Sequence, residues 1–92
     1  MLQLDLSGKI AVVTGGSGEL GRVITRTVAH CGASVAIHYF RHQAQARLLL
    51  EELVALGMRG MTVQADVTQP ESVDAMREAI VQTLGSPHIL VN

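Results

Sequence analysis

The sequence predicts a doubly wound α/β unit, a parallel sheet covered by helices on both faces. Three observations carry that expectation. Short apolar runs alternate with stretches of helical period in the order βαβαβαβ; the connections are short; and the first strand is a β-branched run without polar alternation, as expected when both faces are buried. Right-handed crossovers then give a strand order of 3-2-1-4, with a ligand-binding switch point between strands 1 and 4.

The elements follow in order. Lys9–Thr14 is the first strand, bounded by Gly8 and Gly15. From Leu20 the period turns helical: Leu20, Val23, Ile24, Thr27, Val28 and Cys31 form one stripe, expected to be the buried one, and Gly32 ends the helix as its C′ residue. Ser34–Tyr39 is the second strand. Residues 42–56 form the second helix, with Leu49, Leu50, Leu53 and Leu56 inward and Gly57 as the stop. Met61–Ala65 is the third strand. Thr68-Gln69-Pro70-Glu71 opens the third helix, with Thr68 as its cap, Pro70 in the first turn and Glu71 three residues after the threonine. Val73, Met76, Ile80 and Leu84 give its buried stripe, Gly85-Ser86-Pro87 breaks it, and His88–Val91 is the fourth strand. Residues 1–92 read as one unit without internal repeat, low-complexity tract or linker.

Composition narrows the function. The chain is 48% hydrophobic but only 2% aromatic, which suits a sheet of Val, Ile and Ala covered on both faces. Seven basic and eight acidic residues are spread along it, so no basic stripe points to nucleic acid. Cys31 is the single cysteine, which excludes an internal disulfide and leads us to expect a cytoplasmic protein. Met1–Ser7 has no basic n-region, and no run approaches the ~18 apolar residues of a membrane span, so neither a leader nor a membrane segment is expected. His30, His42, His88 and Cys31 show no metal-ligand spacing.

Gly16-Ser17-Gly18-Glu19-Leu20-Gly21 matches G-x-G-x-x-G, a weak pattern alone but an informative one between a strand and a helix. In a Rossmann-type unit, Thr14-Gly15 makes the turn, Gly18 lets the backbone approach a pyrophosphate, and Gly21 lets the helix sit close to the sheet. Glu19 is expected to point to solvent, since its carboxylate favours the helix N-terminus but would repel a phosphate. An acid about 20 residues past the glycines holds the ribose hydroxyls of NAD. That place here reads His38-Tyr39-Phe40-Arg41-His42, without an acid. Arg41 suits the 2′-phosphate of NADP, so NADP(H) is expected rather than NAD(H), and the missing acid also argues against a methyltransferase. His38 is expected to be a packed strand residue.

"TGGSGELGR", "GASVAIHYFR", "VQADVTQPESV" and the closing "ILVN" together resemble the N-terminal half of a short-chain dehydrogenase/reductase, in register over nearly the whole chain. The His38-Tyr39-Phe40-Arg41 segment is similar to that of pteridine reductases and related carbonyl or oxoacyl reductases. The resemblance implies that Gly15, Ser17, Gly18, Glu19, Leu20 and Gly21 surround the pyrophosphate and that Phe40, Arg41 and His42 meet the 2′-phosphate. It also implies that Asp66 and Val67 flank the adenine and that Asn92 lies near the ribose. A turn or cap ahead of the third helix is the other reading of Asp66. Many members of the family carry glycine where this chain has Glu19.

The family's chemistry is hydride transfer between nicotinamide and a carbonyl carbon, with a tyrosine as acid, a lysine four residues after it and a serine. That set has no counterpart in these residues, whose one tyrosine, Tyr39, falls in the second strand. The resemblance thus implies a cofactor-binding portion without catalytic residues, acting on a small carbonyl substrate in a homo-oligomeric enzyme. A module that binds the dinucleotide without chemistry, or a remnant that binds nothing, is the alternative.

Overall fold

The structure is a computed structural model and describes residues 4–92; residues 1–3 of the Met1–Ser7 stretch lie outside the described residues. The element order is β1 (Ile10–Val13), α1 (Glu19–His30), β2 (Ser34–Tyr39), α2 (Gln43–Ala55), β3 (Gly60–Gln64), α3 (Pro70–Thr83) and β4 (Ile89–Val91). All pairings are parallel, in the order β3-β2-β1-β4, as the alternating pattern predicts. Val12 of β1 sits between Ala36 of β2 and Leu90 of β4, which makes β1 the strand on which the sheet is assembled.

The strand pleat divides the core in two. On one face Ile10, Val12, Ala36, Val63 and Ala65 pack beneath Met76, Ile80 and Leu84 of α3, the stripe expected from the sequence. On the other, Val35 and Ile37 pack against Ala29 of α1 and Ala46, Leu49 and Leu53 of α2. The helices α1 and α2 end as their glycines predict. Gly32 and Gly57 take positive φ of 106° and 85°, and the amides of Ala33 and Met58 reach back to the carbonyls of Val28 and Leu53, closing a Schellman motif at each end. Arg26 of α1 makes a two-armed ion pair with Glu52 of α2, at 2.7 and 2.9 Å.

The short β4 is fastened at both ends. The Ile10 amide donates to His88 Nδ1 at 3.1 Å, and the His88 amide donates to the Ile10 carbonyl at 2.8 Å. At the far end the Thr14 amide and hydroxyl both donate to the Val91 carbonyl, at 2.9 and 3.1 Å.

Three expectations are corrected. The bulky stripe of α1 is buried only in part: Val28 packs against the core and Ile24 is half-buried, but Leu20 is 72% and Val23 57% exposed, and Thr25 and Ala29 are the fully buried residues. The cause is distance. A Cβ on Gly16 would meet the Val13 carbonyl at 3.0 Å and Ile37 Cγ2 at 3.1 Å, and one on Gly21 would drive into the Gly15 carbonyl and lie 2.8 Å from Gly16 Cα. The start of the helix comes so close that only small side chains fit beneath it, with Gly21 against the backbone of Gly15 and Gly16. Leu56, expected inward, is exposed: it is the C-cap residue of α2, and the chain turns at Gly57 so that Met58, not Leu56, packs against the core. Thr68 does not cap α3. Its hydroxyl and amide donate to Asp66 Oδ1 at 2.6 and 3.0 Å, forming an Asx turn, and Gln69 takes the cap position without a side-chain bond.

Leu53 is fully buried, so Leu53→Ala is expected to cost about 2–5 kcal/mol in urea unfolding. Gly21→Ala should cost about 1–3 kcal/mol, because the obstructing atoms are backbone and α1 must shift. The Thr68 hydroxyl and amide, helped by the charge of Arg41, hold the Asp66 carboxyl below its ordinary range. The folded chain therefore binds that proton more weakly than the unfolded one, so the carboxylate stabilises the fold above about pH 4 and ceases to as pH falls through the lowered value. Asp66→Ala should lower the urea midpoint at pH 7, and its difference from the parent should shrink between pH 4 and pH 2.

Candidate functional site

Because every strand runs the same way, the carboxyl ends of all four lie along one edge of the sheet. The chain leaves β1 there through Thr14–Gly18, β2 through Phe40–His42, β3 through Asp66–Val67 and β4 at Asn92. The topology thus brings the twelve residues expected to form a site to one edge.

The turn after β1 is the centre. Gly15 takes φ +63°, a conformation that L side chains rarely adopt, and reverses the chain away from the sheet. The Gly18 amide donates to the Gly15 carbonyl at 3.1 Å, and the Arg22 amide donates to the Gly18 carbonyl at 2.8 Å, the first helical bond of α1. The amides of Ser17, Glu19, Leu20 and Gly21 make no backbone hydrogen bond among the described residues. They are donors at the positive end of a helix of 12 residues, the arrangement that receives an anion. A Cβ on Gly18 would touch only the Gly15 carbonyl, at 3.4 Å, so space lies open above it. Glu19 is exposed and makes no capping bond, as expected of an acid kept out of this position.

Beyond β2, Phe40 and Arg41 are exposed, with the guanidinium carbon 5.1 Å from the ring centroid. His42 is the N-cap of α2; its carbonyl accepts from the Ala46 amide at 3.1 Å, and its side chain makes no capping bond. Beyond β3, both readings of Asp66 have geometry behind them. Oδ1 is taken by the Thr68 turn and the Asp66 amide donates to Ser72 Oγ at 2.8 Å, whereas Oδ2 takes no hydrogen bond among the described residues. Val67 is 55% exposed. Asn92 is exposed and follows Val91, whose carbonyl is held by Thr14.

The floor between these segments contains a residue that the sequence reading placed outside the site. His38 is buried at the end of β2; the Gly15 amide donates to its Nδ1 at 3.0 Å, and its Nε2 lies 2.8 Å from the Ala65 carbonyl oxygen. The signal available in the sequence was an imidazole inside an otherwise apolar strand. An apolar depression of about 420 Å³ lies elsewhere, between α3 and β4, lined by Val73, Met76, Ile80 and Leu90 among others, and includes none of the twelve residues. Among the described residues no group of three metal-ligating side chains occurs, and no helix is long and apolar enough to cross a membrane.

Comparison with known proteins places this architecture. Residues 9–92 match the family model for short chain dehydrogenases. A short-chain dehydrogenase/reductase homolog of Bacillus subtilis is 38% identical over 89 residues, covering 97% of this chain and 82% of its own. A blue fluorescent protein from a metagenomic library, solved in complex with NADPH, superposes with a TM-score of 0.88 at 38% identity, covering 94% of this chain and 36% of that one. A 7α-hydroxysteroid dehydrogenase complexed with NADH and a 7-oxo bile acid superposes at 0.91 with 31% identity, over 98% of this chain and 35% of that one. The chain spans about a third of the length of most curated relatives it matches. With its Rossmann-type 3-2-1-4 sheet, its glycine turn and a family match over all but its first eight residues, the chain belongs to the short-chain dehydrogenase/reductase family.

Proposed function

We propose that this protein binds NADP(H) along the carboxyl edge of its sheet and forms the cofactor-binding portion of a reductase acting on small carbonyl compounds. The observation that carries the reading is the pairing of unbonded amides at the start of α1 with an exposed arginine, and no acid, at the end of β2. The amides of Ser17, Glu19, Leu20 and Gly21 receive the pyrophosphate, and Gly15 and Gly18 leave room for it. Arg41, steadied over Phe40 and flanked by His42, meets the 2′-phosphate. Asp66 Oδ2 accepts from the adenine amino group with Val67 against the ring, and Asn92 lies on the ribose side.

When bound, the nicotinamide supplies the hydride that passes to or from a carbonyl carbon. The residues of this chain hold and orient the dinucleotide; none of them is assigned a proton-transfer role. The NADPH complex of one structural relative supports the cofactor class, and the NADH complex of another makes the 2′-phosphate contact the point to test. A second reading is a module that binds the dinucleotide without chemistry, since none of the described residues forms a tyrosine, lysine and serine set. We further propose a cytoplasmic, homo-oligomeric protein that binds no nucleic acid.

Calorimetric titration with NADPH and with NADH tests the reading. NADPH is expected to bind at least about tenfold more tightly, and absence of binding by both would overturn the proposal. Arg41→Ala should weaken NADPH about ten- to a hundred-fold and leave NADH unchanged. Gly18→Ala should cost less than about 1 kcal/mol of stability, since open space surrounds the new methyl, yet weaken both dinucleotides by intruding on the pyrophosphate.

A further inference from the structure

His38 is 5% exposed, lies on β2 next to the central strand, and has both ring nitrogens engaged. An amide nitrogen only donates and a carbonyl oxygen only accepts. Nδ1, facing the Gly15 amide, must therefore carry a lone pair, and Nε2, facing the Ala65 carbonyl, must carry the proton. One species satisfies both, the neutral Nε2–H imidazole. The backbone carbonyl of the same residue accepts from the Gly16 amide at 3.0 Å. Two consecutive amides of the glycine turn thus end on one residue, whose ring then reaches across to the residue before Asp66. No other side chain accepts from the Gly15 or Gly16 amide among the described residues.

We propose that His38 is a positioning residue for the dinucleotide site: its Nε2–H tautomer ties the Gly15–Gly16 turn to the end of β3, setting the spacing between the phosphate-binding amides and the adenine side. The inference rests on the NADP(H) reading for its consequence, though not for its geometry. An apolar residue of similar volume would fill the floor but leave the buried Ala65 carbonyl unpartnered and the part-buried Gly15 amide without its acceptor. A turn freed in this way can settle at other distances from Asp66, and ligand affinity then bears the cost of restoring the spacing.

The test uses the purified protein and three variants, His38→Asn, His38→Gln and His38→Leu. Asparagine can present an oxygen near the place of Nδ1 and keep the Gly15 bond. Glutamine can present an amide N–H toward Ala65 but leaves the Gly15 amide without an acceptor. NADPH affinity is read by calorimetry, protection of the Gly15 amide by hydrogen exchange, and the ring state by its ¹⁵N spectrum. The expected result is an Nε2–H signature in the parent, His38→Asn within about threefold of its affinity, and His38→Gln and His38→Leu weaker on the order of tenfold with faster Gly15 exchange. A folded His38→Leu that binds NADPH as the parent does, or equal losses in His38→Asn and His38→Gln with unchanged Gly15 exchange, would overturn the proposal. Should His38→Leu not fold, the contrast between the other two decides. If the parent binds no NADPH, the functional reading fails, and the positioning role is judged on the ring tautomer and the Gly15 exchange alone.

Discussion

The close seat of α1 on the turn after β1 is the constraint from which most of this structure follows. With Gly16 against β1 and β2 and Gly21 against the Gly15 carbonyl, the first turn of the helix meets the glycine turn at a point where no side chain fits. That approach leaves the first amides of the helix unbonded beside the end of β1 and selects Thr25 and Ala29 for the buried face. It also leaves Leu20 and Val23 exposed near the start of the helix. The cradle that suits an anion and the unusual exposure of α1 have one cause.

The alternation of strands and helices, the strand order and the glycine stops were legible because each rests on local chemistry or on a topological rule with few exceptions. The stripe of α3 was legible too, since Met76, Ile80 and Leu84 pack at ordinary helix–sheet distance and hydrophobic period alone decides their side. The same logic failed for α1. There two faces compete, one bulky and one small, and a period cannot say which of them the partner surface admits. Thr68 failed for a different reason: α3 starts one residue later than the pattern suggests, with Gln69 at the cap, and the Thr68 hydroxyl donates back to the Asp66 carboxylate instead of accepting from the helix.

The site divides along similar lines. The glycine spacing and the lack of an acid after β2 are visible in the chain because they are written in neighbouring residues. The contribution of His38 was not, because it depends on which atoms face the ring from β1 and β3, a matter of register between segments 23 and 27 residues away. His88 carries the same lesson at the opposite end of the sheet, where its Nδ1 accepts the Ile10 amide. In both places an imidazole acts as an extra carbonyl, meeting a backbone donor that the ladder itself leaves over.

The order of strands has a kinetic side. β1 is made first yet lies inside the sheet, with one neighbour beginning at Ser34 and the other at Ile89. As the chain emerges from a ribosome, β1, α1 and β2 can assemble early, but the other flank of β1 stays bare until Ile89–Val91 has also emerged. The clasp between Ile10 and His88 closes a loop of 78 residues, the costliest closure in the molecule, and rewards it with a strand of three residues. Among these four strands, docking of β4 should accordingly come last and be the most reversible, and until it is complete β1 is open to pairing with the wrong partner.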